Sequence, residues 1–238
     1  MSEKMSVQEI EARFDNEVER FSNLETGQVA ITDARLMLDL LTEAASCVNP
    51  DAKEVCDIGC GAGNYTLRLL QRIPNFNVTL IDLSKAMLEK AEERVAPETA
   101  GTVKILQGDM REVELGENRF DILMAAATLH HLRTDAEWEA MFRKIYASLK
   151  PGGSFWVCDL IEQQHPVLQE KMWDHWGKYL TAFKGPEYRE TVFDYVRKED
   201  TPKPLTFQLN LLSQVGFESI EILHKVNVFA AFGAIKGR

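Results

Sequence analysis

The chain has 238 residues, of which 45% are apolar, and its 27 Lys and Arg against 37 Asp and Glu give a formal charge of −10 at pH 7. That apolar content can close a core and excludes a disordered chain, and at about 150 residues per domain the length suits a single domain. The acidity argues against nucleic acid as a partner, because non-specific binding depends on Lys and Arg neutralising phosphates.

The longest nearly apolar run, Ile122 to Leu129, is far below the roughly 20 residues of a membrane span, so no membrane association is expected. Glu3, Glu9 and Glu11 stand where a secretory leader would be apolar. Cys47, Cys56, Cys60 and Cys158 read as reduced thiols, which places the protein in the cytoplasm. Cys56 and Cys60 lack the neighbouring ligands of a zinc site, and no metal is expected.

In chain order, residues 1–49 read as an N-terminal helical cap, with Leu36, Leu38, Leu40, Leu41 and Ala44 crowding a stretch free of Pro and Gly. Residues 50–162 alternate short apolar runs with amphipathic segments. Val55 to Ile58, Val78 to Ile81, Val103 to Leu106, Phe120 to Ala126 and Ser154 to Leu160 read as strands buried on both faces. Ser84 caps one helix, which runs to Val95. Thr134 and Asp135 open another, which carries Trp138, Met141, Phe142, Ile145 and Leu149 on one stripe and stops at the Pro151-Gly152-Gly153 turn. This rhythm predicts a parallel sheet with helices on both faces. Residues 163–200 interrupt it with an aromatic-rich helical insert. Residues 201–238 close the chain with a helix at Leu205 to Val215 and two runs, Ser219 to Leu223 and Val226 to Ile235, too close in sequence to be anything but antiparallel neighbours. The fold expected is a single α/β domain with a Rossmann-like, mostly parallel seven-stranded sheet, an antiparallel C-terminal strand, N-terminal helices and a helical insert.

The sharpest local signal is Val55-Cys56-Asp57-Ile58-Gly59-Cys60-Gly61-Ala62-Gly63-Asn64, a strand entering a glycine-rich turn that opens a helix. Such glycines let backbone approach a nucleotide-type ligand closely, at the strand edge where doubly wound sheets bind ligands. Asn64 stands where the dinucleotide fingerprint needs a third glycine, and Asp57 would repel a pyrophosphate but suit a cationic amino group, so a nicotinamide dehydrogenase is disfavoured. Asp82 and Asp109 end the next two strands. A carboxylate at the first can take both ribose hydroxyls, and one at the second can accept from the exocyclic amine of adenine.

Asp57-x-Gly59-x-Gly61-x-Gly63, the Asp82 strand end, Gly108-Asp109, Phe120-Asp121, Leu149-Lys150-Pro151-Gly152-Gly153 and Leu212-x-x-x-Gly216-Phe217 together resemble the class I S-adenosylmethionine-dependent methyltransferases. The resemblance implies S-adenosylmethionine as cofactor and methyl transfer by in-line displacement to a small-molecule acceptor. It implies that Asp57, Gly59, Cys60 and Gly61 surround the methionine part, that Asp82 holds the ribose and that Leu83 covers one adenine face. Asp109 and Met110 would read the adenine edge, with Ala126 near the sulfonium. A cofactor-binding protein without catalysis would keep these acids but have no open space beside Ala126.

His130 and His131 follow the fourth strand, and either is a candidate general base, although residues there also serve simply to shape a pocket. Trp173, Trp176, Leu180 and Phe183 share one helical face in the insert, leaving Tyr179, Tyr188, Phe193 and Tyr195 as candidate pocket residues. The stripe suggests a homodimer in which the insert closes the substrate side, unless the N-terminal helices cover it. The layout of the insert and the helical N-terminus is also similar to carboxy-S-adenosylmethionine synthases, which act on the cofactor with prephenate and form dimers. In that subfamily an Arg before the final strands binds the extra carboxylate; Leu211 aligns with it, and no Arg lies between Pro202 and Gly216.

Overall fold

A computed structural model of the chain describes residues 4–23 and 28–238. Ser6 opens the first helix through a reciprocal capping box: its hydroxyl accepts from the Glu9 amide, and the Glu9 carboxylate accepts from the Ser6 amide at 2.8 Å. The helical cap resolves into α1 (Val7–Asp15), α2 (Val18–Ser22) and α3 (Ala34–Val48). Residues 24–27, part of the same expected segment, lie outside the described residues.

Beyond Ala52 the strands are β1 (Glu54–Ile58), β2 (Asn77–Asp82), β3 (Val103–Gln107), β4 (Phe120–Ala126), β5 (Leu149–Leu160), β6 (Ser219–Val226) and β7 (Phe229–Ile235). Between them run α4 (Asn64–Leu70), α5 (Lys85–Val95), α6 (Asp135–Ser148), α7 (Pro166–Lys184), α8 (Pro186–Glu199) and α9 (Leu205–Val215). The seven strands form one sheet in the order β3-β2-β1-β4-β5-β7-β6, parallel from β3 to β5, with β7 antiparallel to both β5 and β6. Strand order reverses between β1 and β4, the position at which open α/β sheets leave a crevice for ligands.

Period-two alternation divides the strands between two cores. Val55, Ile122 and Met124 face a core shared with α3, α4, α5 and the insert, whereas Cys56, Leu123 and Ala125 face a core shared with α6 and α9. Both faces are covered, which is why these strands carry no polar alternation.

Two expectations change. Pro151-Gly152-Gly153 is not a turn outside the sheet. It lies within β5, where Gly152 takes a φ of +77° and the register with β4 shifts between Phe120 and Ile122, so helix α6 passes into the strand directly at Leu149. The insert stripe is also largely covered within the chain. Trp176 is 1% exposed, its Nε1 donates to the Ala30 carbonyl at 2.7 Å, and its ring meets Phe229 edge-on at 5.3 Å; Leu180 is fully buried beside it. Phe183, at the end of the stripe, is 50% exposed. Ala30 of the N-terminal segment, Phe193 of α8 and Phe229 of β7 together supply this cover.

Candidate functional site

The glycine loop grows out of β1 because its first residues bond across to the neighbouring strand: the amides of Gly59 and Cys60 both donate to the Ile81 carbonyl, at 2.8 and 3.0 Å. Gly59 has a φ of +65°, and a Cβ there would collide with the side chain of Thr128, which follows β4. Gly61 has a φ of +50° and nothing within 4 Å of where its Cβ would stand. At this second position the glycine borders open space, so its backbone is available to a ligand.

Asp57 is 1% exposed and accepts from Thr66 Oγ1 at 2.7 Å. Burial pushes its carboxyl up to about 7 against that hydrogen bond, and the neighbouring charge of Asp82 adds to the push. Asp82 receives the Gly61 amide on Oδ2 at 2.8 Å and the Ser84 amide on Oδ1 at 2.9 Å, so it ties the glycine loop to the start of α5. Burial still raises it to about 6. Asp109 is held differently. Burial works against its charge, but Arg111, whose amide and Nε each lie 2.9 Å from Oδ1, keeps its carboxyl below the ordinary value. Arg111 in turn reaches Glu137 at 3.2 Å. Nothing in the local pattern around Asp109 points to this anchor.

Asp57, Gly59, Cys60, Gly61, Asp82, Leu83, Asp109, Met110 and Ala126, the nine residues singled out for the cofactor, all line one cleft of about 1090 Å³. Its outer wall comes from the N-terminal cap, including Ile10, Phe14 and Phe21. Asn64, which departs from the dinucleotide fingerprint, fastens that cap by donating from Nδ2 to the Phe21 carbonyl at 2.9 Å.

A second cavity of about 690 Å³ adjoins the cleft and shares Phe14, Phe21, Gln28, Ala127 and His131 with it. Ala127, next to Ala126, has a φ of +52°, an unusual backbone state for a residue with a Cβ and one that clusters at functional sites. His130 lines only the second cavity. Its Nδ1 bonds Asp159 Oδ1 at the end of β5, whose other oxygen accepts the Leu129 amide at 2.8 Å. Burial opposes charge on His130, yet Asp200 and Asp159 outweigh it and push the imidazole up to about 9. Burial holds His131 well below its ordinary value, assisted by His130, Arg13 and Arg133. Of the four leftover aromatics, Tyr195 lines this cavity, whereas the Tyr179 hydroxyl donates to the Val29 carbonyl at 2.9 Å and Phe193 packs on Trp173 and Trp176. Asp159 was missed in the sequence. The rule that picked Asp57, Asp82 and Asp109, an acid at the carboxyl end of a strand, would have found it in Cys158-Asp159-Leu160.

Residues 55–153 match the family model of a methyltransferase domain. Carboxy-S-adenosyl-L-methionine synthase of Trichodesmium erythraeum is 30% identical over 191 residues, which cover 76% of this chain and 72% of that protein. The chain belongs to the class I S-adenosylmethionine-dependent methyltransferases. Demethylmenaquinone methyltransferase of Lactococcus lactis, a further relative, is 28% identical over 174 residues, 70% of this chain and 66% of that protein, so the chain spans just under two thirds of its length. The structure also superposes on human N-acetylserotonin methyltransferase in complex with S-adenosylmethionine, with a TM-score of 0.61 and 19% identity over 96% of this chain and 57% of the other, a likeness of fold.

As a class I methyltransferase the protein uses S-adenosylmethionine as its cofactor. The cleft fits such a group. Gly61 leaves room beside its backbone, and the buried Asp57 has the Thr66 hydroxyl and backbone and the like charge of Asp82 around it but no cation among the described residues, a setting that a bound cation relieves. Ala126 lines the same cleft. No helix among the described residues is long and apolar enough to cross a membrane.

Proposed function

We propose that the protein methylates a small-molecule acceptor held in the second cavity. The observation that carries this reading is the junction of the two spaces at Ala127 and His131, one residue from Ala126 on the cofactor side. When bound, S-adenosylmethionine supplies a methyl group already activated by positive sulfur. The residues of the chain then need only align the acceptor and exclude water. In this reading Asp57 faces the ammonium group, the Gly59 to Gly61 backbone lies along the methionine part and Asp82 takes the ribose hydroxyls. Leu83 covers adenine, while Asp109, braced by Arg111, and Met110 meet its edge. The wall of the second cavity combines Phe14, Phe21, Trp176 and Tyr195 with Arg13 and Arg20, which suits an acceptor with an apolar or aromatic body.

A second reading is a carboxy-S-adenosylmethionine synthase-like activity, supported by the 30% identity to the Trichodesmium protein of that name. Against it stands α9, which carries no Arg: Leu211, at the position the resemblance assigns to a carboxylate-binding Arg, is 5% exposed and packed in the apolar core.

Mass spectrometry of the ligand retained by purified protein tests both. S-adenosylmethionine or S-adenosylhomocysteine is expected. The carboxylated cofactor would favour the second reading, and a nicotinamide nucleotide would overturn both.

A further inference from the structure

His130 and His131 follow β4, and Asp200 follows α8, yet the fold brings the three side chains together at the junction of the two cavities. His130 Nε2 and His131 Nδ1 each lie 3.5 Å from the same oxygen, Asp200 Oδ1, and one donor atom from each residue falls within 4.8 Å of the others. Those separations are long for hydrogen bonds. The two contacts to Asp200 suit donors that share one ion, since ligands about 2.0 to 2.2 Å from a metal stand about 3 to 3.5 Å from one another.

Two further observations point to a missing partner. Asp159 engages His130 Nδ1, leaving Nε2 as the nitrogen turned towards Asp200, the carboxylate-histidine arrangement that orients metal-binding imidazoles. Both ring nitrogens of His131 are buried and neither makes a well-formed hydrogen bond among the described residues, although the Glu199 backbone stands close enough to favour its charge. Glu199 Oε1 and Thr201 Oγ1, on either side of Asp200, are likewise buried without a hydrogen-bond partner among the described residues. Buried polar atoms are seldom left without partners, and a group of them in one place marks space for something polar.

The charges agree. Glu199 is neutralised by Arg13 at 2.6 Å, whereas among the described residues Asp159 and Asp200 form side-chain ion pairs only with the imidazoles. Arg13 and Arg133 are the opposing cations near His131, and Lys4 is engaged by the carbonyls of Arg197 and Asp200.

We propose that His130, His131 and Asp200 bind a divalent first-row transition-metal ion, with Asp159 as a positioning residue behind His130. Two imidazoles and one carboxylate suit zinc or ferrous iron and leave coordination positions open. Those positions face the second cavity, where an oxygen-bearing acceptor or water would complete the sphere. That last point rests on the acceptor reading above, whereas metal binding itself does not.

The test is titration of the EDTA-stripped, full-length protein with Co²⁺, followed by absorbance. One equivalent is expected to bind, with visible d–d bands that Zn²⁺ abolishes by displacement. His131→Gln and Asp200→Asn should each weaken Co²⁺ at least tenfold, and Asp159→Asn should weaken it about 10- to 100-fold by freeing the His130 ring. Circular dichroism identifies any variant that fails to fold, and the remaining ones then decide. Absence of the bands at one equivalent, or an unchanged Co²⁺ affinity in the folded ligand variants, would overturn the site. Calorimetry of S-adenosylmethionine with the wild-type protein in EDTA reports separately on the methyltransferase reading.

Discussion

Asp57→Asn should make the cofactor-free protein more stable while weakening its hold on S-adenosylmethionine. Burial moves the Asp57 carboxyl from its ordinary value of 3.8 to about 7. A difference of roughly 3 units, at about 1.4 kcal/mol each, puts an upper bound of about 4 kcal/mol on the cost of carrying the charge when cofactor is absent. Because the folded-state pKa lies above the unfolded one, the stability associated with the neutral carboxyl is complete below about pH 4 and is lost as pH rises through about 7. Asparagine does not titrate and can still accept the Thr66 hydrogen bond. The variant should therefore melt with the wild type near pH 4 and above it at pH 8, by several degrees at about 2 to 4 °C per kcal/mol for a chain of this length. Binding should change in the opposite sense, because a charge-assisted hydrogen bond to the ammonium contributes about 1.5 to 3 kcal/mol, or roughly 10- to 150-fold in affinity. Melting scans at both pH values, with and without cofactor, read the two effects together. A melting difference that is independent of pH, or an undiminished cofactor-induced shift, would refute the placement of Asp57 as a strained acid awaiting a cation.

Asp82→Ala should weaken S-adenosylmethionine by at least tenfold in calorimetry. It should also speed amide exchange at Gly61 and Ser84, since both amides lose their acceptor. Gly61→Val should abolish cofactor binding, as read by calorimetry, in a protein that stays folded, because the Cβ enters open space and the left-handed backbone costs only about 1 to 2 kcal/mol. Trp176→Glu should lower the chemical-denaturation stability by more than about 3 kcal/mol, since it empties a core site and buries an unpaired charge. A normal denaturation midpoint would return that ring to the role of subunit contact.

The sheet was legible because its strands are continuous apolar runs punctuated by Gly, Pro and Asp, and the three acids that line the cleft were legible because each stands near the carboxyl end of a successive strand. Pro151-Gly152-Gly153 misled because the same residues that make a turn also make an irregular strand start, and only the register with β4 decides between them. The amphipathic pattern of α7 announced a face to bury but not what buries it, so Ala30 could not be anticipated as the partner of Trp176. Asp159 could be picked out as a strand-end acid, but its grouping with Asp200 around His130 was beyond reach for a similar reason. Asp159 and Asp200 are separated from His130 by long stretches of sequence, and nothing local in either segment says that β5 and the end of α8 converge on one imidazole.

The reversal of strand order between β1 and β4 also divides the sequence. Apart from the N-terminal cap, the cleft is lined by residues 57–133 and the second cavity by residues 127–229, so the two walls overlap only in the cap and at Ala127 and His131. On the proposed assignment of the two spaces, acceptor specificity can drift on one side while cofactor binding stays fixed on the other. A chimera exchanging residues 161–204 with a related enzyme would be free to acquire a new acceptor and would inherit the original cofactor affinity, which makes the insert the natural unit for recombination and the cap the segment whose fit has to be preserved.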